Sequence, residues 1–136
     1  METLVKAGGL FNIALVIFHL SFWRLFNWRD ELKSISFLNS SIMQVLNISL
    51  TLVFVIFAYI SLLHAEALLS TPLGNSLLAL MALFWLARAI QQIIFFGLRL
   101  PLSRVFLLIF LSGFALYAIP ALTVLRAADR TRLATR

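Results

Sequence analysis

The sequence predicts an all-α integral membrane protein, a four-helix bundle whose helices are joined by short links. The chain of 136 residues is 62% hydrophobic, and its mean hydropathy is +1.04. Four stretches are apolar on every side and long enough to cross a bilayer, which takes about 20 residues. The chain has no cysteine, so disulfides and thiolate-bound metals are excluded. We expect one transmembrane domain covering residues 1–136.

The four predicted spans follow one another closely and leave a basic tail. The first begins near Leu4 and ends in an aromatic cluster typical of a membrane interface. The second is followed by a link rich in turn residues, and a tight link makes the third and fourth antiparallel neighbours. The fourth contains Pro120, which we expect to bend its last turns. The predicted spans are 4–26, 41–64, 76–97 and 103–125, with the tail at 126–136.

The link between the first and second spans leaves two interpretations open. Asn27 is a suitable N-cap for a short helix, and Asp30 and Glu31 would favour its first turn. Trp28, Leu32 and Ile35 would then share one face, as in an amphipathic helix that lies on the bilayer surface. The alternative is an ordinary polar loop.

The third predicted span carries an arginine at its middle. At the helical rise per residue, Arg88 lies about 13 Å from the nearer end of its predicted span and deeper still from the other, which is too deep to reach water easily. No predicted span contains Asp or Glu, and the nearest acidic residues are Asp30, Glu31 and Glu66. A guanidinium with only neutral neighbours is suited to binding an anion. The structural alternative is that Asp30 or Glu31 folds inward to pair with Arg88.

Uncharged polar residues of three helices are predicted to lie in the same layer as Arg88. By the same count of helical rise, His19 and Asn47 lie about 6–7 Å from the midplane, on the side of the first link. Trp23 and Trp28 would frame the mouth of a pocket there. The structural alternative is that the amides only fix the register of the helices. The predicted ligand-binding residues are Arg88, His19, Asn47, Gln92, Gln91, Gln44 and Trp23.

The two histidines do not predict a cofactor site. His19 titrates near neutral pH in its free form, but a neutral, hydrogen-bonded histidine is the simpler interpretation. Ligation of one haem by both histidines fails, because His19 and His64 differ in depth by about 24 Å. His64 and Glu66 are near each other, but two ligands without a third are weak evidence for a metal. We therefore predict no catalytic residue, no metal ligand and no cofactor.

The fourth predicted span is the poorest in polar groups. Away from its two ends, Ser112 and Tyr117 are its only polar residues of this kind. Because polar faces in membrane helices turn toward the bundle interior, we expect this helix to face lipid or a second subunit.

These observations predict a small multi-pass membrane protein whose polar pocket binds or passes a small anionic or amphipathic ligand. It would act as a transporter, a channel or a lipid-binding protein. Two alternatives stay open: an accessory or scaffold subunit whose polar layer is purely structural, and a lipid-modifying or haem-dependent enzyme. No enzyme motif is present, so the enzyme is the less favoured of these. The expected partners are membrane lipids with anionic headgroups, and a second copy of the chain or a larger membrane partner.

The basic residues do not decide the orientation in the membrane. Apart from Arg88, the 11 basic residues divide five against five between the two membrane faces, so the positive-inside rule gives no preference. Asp129 is the one acid among the four tail arginines, which favours cytoplasmic termini in a bacterial inner (plasma) membrane. The basic residues are spread over loops and the tail, so a nucleic-acid partner is not expected.

Overall fold

The computed structural model describes residues 1–134, apart from the side chains at positions 129, 131, 132 and 134. This part of the chain is helical almost throughout and contains no strand. In chain order the helices are α1 (Glu2–Leu20), α2 (Phe22–Leu25), α3 (Trp28–Glu31), a 3₁₀ turn (Leu32–Ser34), α4 (Phe37–Leu63), α5 (Ala65–Ser70), α6 (Pro72–Phe96) and α7 (Pro101–Ala134). The four long helices α1, α4, α6 and α7 confirm the predicted all-α bundle.

The outer surface of this bundle is apolar. In the most apolar window of each long helix, only 28% to 33% of the residues are buried. Large side chains such as Phe37, Leu73 and Ile94 are exposed. Apolar surface this extensive is unfavourable in water but matches the hydrocarbon of a bilayer. The four helices are long and apolar enough to span a membrane, and the chain is therefore an integral membrane protein.

Short-range chemistry explains where the long helices begin and end. The Ser36 hydroxyl accepts from Asn39 N (3.4 Å) at the start of α4, and the Thr71 hydroxyl accepts from Gly74 N (2.9 Å) at the start of α6. Both are N-caps that satisfy an otherwise free backbone N–H. At the end of α6, Gly97 has φ +64°, a conformation that glycine adopts without strain.

The first link is helical, but it is not one continuous surface helix. It is divided into α3 and the 3₁₀ turn, and Trp28 and Leu32 are both buried. Asn27 precedes α3 with a left-handed φ of 46° and makes no side-chain cap. Asn27 therefore stands at the predicted N-cap position, and its carbonyl oxygen accepts from Asp30 N and Glu31 N. Its side chain does not cap the helix, because the residue lies in the left-handed region that asparagine tolerates.

The long helices pair unevenly. The closest pairs are α1 with α4 and α6 with α7, and α1 also packs against α7. Within the described chain, the backbones of α4 and α6 stay apart over nearly all their length. Aromatic side chains bridge this gap at one level only: Phe54 stacks on Trp85 with ring centroids 5.4 Å apart, and Phe57 contacts Phe84 at 5.2 Å. The gap remains open on the side of the first link.

The fourth span has an exposed apolar face, as expected, but it is no more exposed than the first and third spans. Tyr117 of α7 is fully buried, and a Cβ added at Gly113 would lie 2.7 Å from the Trp85 ring. The helix therefore packs tightly into the bundle at Gly113 and Tyr117. It also continues through Pro120 as one helix.

Candidate ligand-binding cavity

A cavity of about 450 Å³ lies between the long helices, in the half of the bundle that carries the first link. Its volume is within the range of small-molecule sites, roughly 300–1,000 Å³. Phe54 and Trp85 close the gap between α4 and α6 beyond it. The lining residues are Leu15, Phe18, His19, Phe22, Phe26, Trp28, Met43, Leu46, Asn47, Leu50, Arg88, Gln92, Phe96, Leu100, Leu102, Ser103, Phe106 and Phe110.

Arg88 is the charged side chain of this cavity. It lies eight residues before the end of α6, or about 12 Å along the axis. Its Nη1 donates to Oε1 of Gln91 (2.7 Å), and its guanidinium carbon lies 4.9 Å from the ring centroid of Phe110. The Nε–H is buried and has no hydrogen-bond partner within the described residues. The guanidinium therefore retains unused hydrogen-bonding capacity in an apolar surrounding.

The predicted structural alternative for Arg88 does not occur. Asp30 pairs with Lys33 in its own link (2.9 Å), and Glu31 is exposed. Across the side chains that the structure describes, the other ion pair joins Lys6 to Glu2. Arg88 therefore has no carboxylate partner in this part of the chain, and its charge is offset by Gln91 and the face of the Phe110 ring.

His19 and Asn47 form a reciprocal link between α1 and α4. Nδ1 of His19 donates to Oδ1 of Asn47 (2.7 Å), and Nδ2 of Asn47 donates to the His19 carbonyl oxygen (3.1 Å). The imidazole also stacks on Phe22 with centroids 4.5 Å apart. When Nδ1 carries the proton of the neutral ring, Nε2 is an acceptor. The link orients the imidazole and joins two of the cavity walls.

Gln92 joins α6 to the start of α7. Its Nε2 donates to the Ser103 hydroxyl (2.9 Å), and that hydroxyl donates to the Gly97 carbonyl oxygen. Both side chains are buried, at 5% and 4% exposure. This chain of hydrogen bonds holds the tight turn between the two helices and places two more polar groups at the cavity wall.

The structure places four of the seven predicted residues in the cavity wall and the other three outside it. Arg88, His19, Asn47 and Gln92 line the cavity. Gln91 is exposed and contacts Arg88 from outside the cavity. A second pocket of about 330 Å³ contains the other two predicted residues and is lined by Trp23, Trp28, Arg29, Leu32, Lys33, Ser40 and Gln44.

Two features displace Trp23 and Gln44 from the main cavity. Gln44 Nε2 donates back to the Ser40 carbonyl oxygen of its own helix (3.3 Å). Trp23 packs edge-on against Trp28 with centroids 5.3 Å apart, and Trp28 lies between the two pockets. The structure therefore places Trp23 and Gln44 in the second pocket, apart from Arg88.

Sequence reasoning missed Ser103 and Phe110 as cavity residues. Ser103 follows the tight turn after α6, and its place as the first residue of the predicted fourth span was the available signal. Phe110 gave no signal, because it is one of 13 phenylalanines in an apolar chain. Its position under Arg88 depends on how α7 packs against α6.

The described residues contain no group of three or more His, Asp or Glu side chains that could hold a metal ion. His64 is exposed at the end of α4, where its ring lies 5.5 Å from that of Tyr59. Comparison of the chain with protein-family models, with curated proteins and with solved structures found no match. The cavity itself is therefore the basis for a functional assignment.

Proposed function

We propose that this membrane protein binds an amphipathic anion, with the anionic group at Arg88 and the apolar part against the aromatic wall of the cavity. The observation that carries the proposal is a cavity-lining guanidinium without a carboxylate partner among the described side chains. Buried charges are retained in membrane spans chiefly where they bind or conduct something. A carboxylate would satisfy the free Nε–H of Arg88 by a charge-assisted hydrogen bond.

The remaining polar groups support an oriented ligand. His19, Asn47, Gln92 and Ser103 already hydrogen-bond one another in pairs, so they need no ligand to be satisfied. Asn47 and Gln92 each retain a second amide N–H to donate to an anion at Arg88, and all four side chains keep the guanidinium side of the cavity polar. The larger part of the wall is aromatic or aliphatic, which favours a ligand with an apolar body over a bare inorganic ion.

The direct test is the substitution Arg88→Met in protein purified in mild detergent. Binding of decanoate is measured by calorimetric titration, and the native chain is expected to bind it. The affinity of Arg88→Met for decanoate is expected to be about 10- to 100-fold lower, because the variant loses one charge-assisted hydrogen bond. Decanol, which has the same chain without the charge, is expected to bind both proteins weakly. Arg104→Met is the matched control, since Arg104 is exposed and outside the cavity.

The same variant separates this function from the scaffold alternative. Arg88→Met removes a charge from an apolar site, so the folded protein is expected to be as stable as the native chain or more stable. A stable variant that has lost decanoate binding supports the ligand site. Equal binding of decanoate to both proteins would contradict it and favour a purely structural polar layer.

The place of the protein in the cell is part of the proposal. It belongs in a bacterial plasma membrane with both termini cytoplasmic, supported by the four arginines of the tail against one acid. Contact with anionic headgroups is supported by Arg29 and Lys33 in the second pocket, beside two tryptophans. A second copy or a larger partner would cover apolar surface that the small bundle leaves outward, and native mass spectrometry would show either one.

A further inference from the structure

The cavity wall has a buried polar part and an exposed apolar part. The polar side chains His19, Asn47, Gln92 and Ser103 are each 9% exposed or less. Every lining residue that is exposed is apolar: Phe26, Met43, Leu46, Phe96, Leu100 and Leu102. We call these six residues the rim. The rim is the part of the cavity wall that a ligand meets first.

The rim opens toward the bilayer rather than toward water. Leu46 is 62% exposed and lies nine residues into α4, or about 13 Å along its axis. Phe96 is 68% exposed and ends α6 on the facing side. Because the backbones of α4 and α6 stay apart here, the opening extends from the membrane interface into the hydrocarbon layer.

The charge of the cavity fits a monoanion. Arg88 is the only Lys, Arg, Asp or Glu among the lining residues. One guanidinium balances one carboxylate, whereas a phosphate monoester would bring a second charge without a second cation to meet it. A cavity of about 450 Å³ also suits one hydrocarbon chain better than the two chains and headgroup of a phospholipid.

We infer that the cavity is loaded sideways from the bilayer, between α4 and α6, and that its ligand is a single-chain fatty acid dissolved in the membrane. The carboxylate reaches Arg88, and the hydrocarbon chain lies across Leu46 and Phe96 into the lipid. The hydrocarbon chain of the ligand exchanges one apolar environment for another when it moves from lipid to the cavity wall, so this step contributes little to affinity. Specificity therefore depends on the carboxylate. This inference rests on the proposed function and adds the route and the ligand class.

The test uses the purified chain in phosphatidylcholine vesicles and a hexadecanoate that carries a photoreactive diazirine in its chain. Saturable crosslinking is expected on the cavity wall, and unlabelled hexadecanoate is expected to compete for it while butanoate does not. Butanoate has the same carboxylate but dissolves in water. The variant Leu46→Trp, which narrows the rim, is expected to slow saturable labelling several-fold.

Leu52→Trp is the matched control. Leu52 lies on the same helix at 58% exposure but does not line the cavity, so its labelling rate is expected to equal that of the native chain. Circular dichroism of both tryptophan variants checks that helix content is retained, and if Leu46→Trp fails this check, Leu46→Phe replaces it.

The outcomes separate the route from the binding function. If butanoate competes as well as hexadecanoate and Leu46→Trp labels at the native rate, the anion reaches Arg88 from water, and the bilayer route is overturned while the proposed function stands. If labelling is not saturable and is the same in Arg88→Met, both are overturned.

Discussion

Tyr117 shows how one hydroxyl group can join three membrane helices. Nδ2 of Asn12 on α1 donates to the Tyr117 oxygen (2.8 Å), and the hydroxyl of Ser61 on α4 lies 2.8 Å from the same oxygen. All three residues are fully buried. Polar groups in hydrocarbon must find partners within the protein, so this cluster ties α7 to both α1 and α4.

Tyr117→Phe tests the value of that cluster. The variant is expected to unfold more easily by about 1 kcal/mol, since interhelical hydrogen bonds in membranes contribute roughly 0.6–1.7 kcal/mol. The measurement is thermal or denaturant unfolding in detergent. Tyr59→Phe removes the same hydroxyl from a side chain that is 56% exposed and should change stability little. Equal losses in the two variants would show that the cluster is not a stabilising contact.

At the scale of elements, the connection between α4 and α6 is tighter than its composition suggests. The residues 65–75 were predicted to be a link, but they contain the helix α5 and the first turn of α6. The start of α6 lies so close to α5 that a Cβ on Gly74 would overlap the backbone carbonyl oxygen of Ala67. Glycine is needed here because two backbones meet, and backbone atoms cannot turn aside as a side chain can.

Gly74→Ala is therefore expected to destabilise the protein by about 1–3 kcal/mol, the usual cost of inserting a methyl group into filled space. Gly9→Ala offers a comparison, because its Cβ would meet Cγ and Cδ2 of the Leu62 side chain at 2.6 and 2.8 Å, and that side chain has other rotamers. The loss of stability at Gly9 is expected to be smaller, as measured by the same unfolding experiment. A larger loss at Gly9 would contradict the proposed backbone contact.

At the scale of the whole molecule, the basic residues do not favour either orientation of the protein in the membrane. The membrane face that carries the first link has Arg24, Arg29, Lys33, Arg99 and Arg104, and the opposite face has Lys6 and the four tail arginines. Orientation follows the difference in basic residues near the ends of the spans. Because the two membrane faces carry equal numbers of basic residues, removing a few of them from one face should change the orientation of the protein.

The double substitution Arg29→Gln with Lys33→Gln changes the balance to three against five and is expected to increase the fraction with cytoplasmic termini. Ser70→Cys supplies the reporter, since the chain has no other cysteine and Ser70 is exposed on the same side as the termini. Its labelling by an impermeant maleimide from outside should fall. The control, Asp30→Asn with Glu31→Gln, should change labelling little, because acidic residues contribute little to orientation. Unchanged labelling in the first variant would contradict the prediction.

The existence of the four spans followed from sequence, because crossing a bilayer depends on local length and composition. The depth of the polar residues in the bilayer could also be predicted from sequence, since a fixed rise per residue puts His19, Asn47 and Gln92 at one level near Arg88. The direction in which each side chain points around its helix axis could not be predicted from sequence. When a helix is apolar on nearly every side, its periodicity does not say which face meets a neighbour.

Tertiary structure alone decided the rest. It placed Phe110 beside Arg88, turned Gln44 back toward Ser40, buried Tyr117 and left α4 and α6 apart, with a cavity between them. These outcomes depend on which helices become neighbours, and that choice is made by a few side chains far apart in the chain. The sequence by itself determined the layer in which the polar groups lie, and helix packing determined which of them share a cavity.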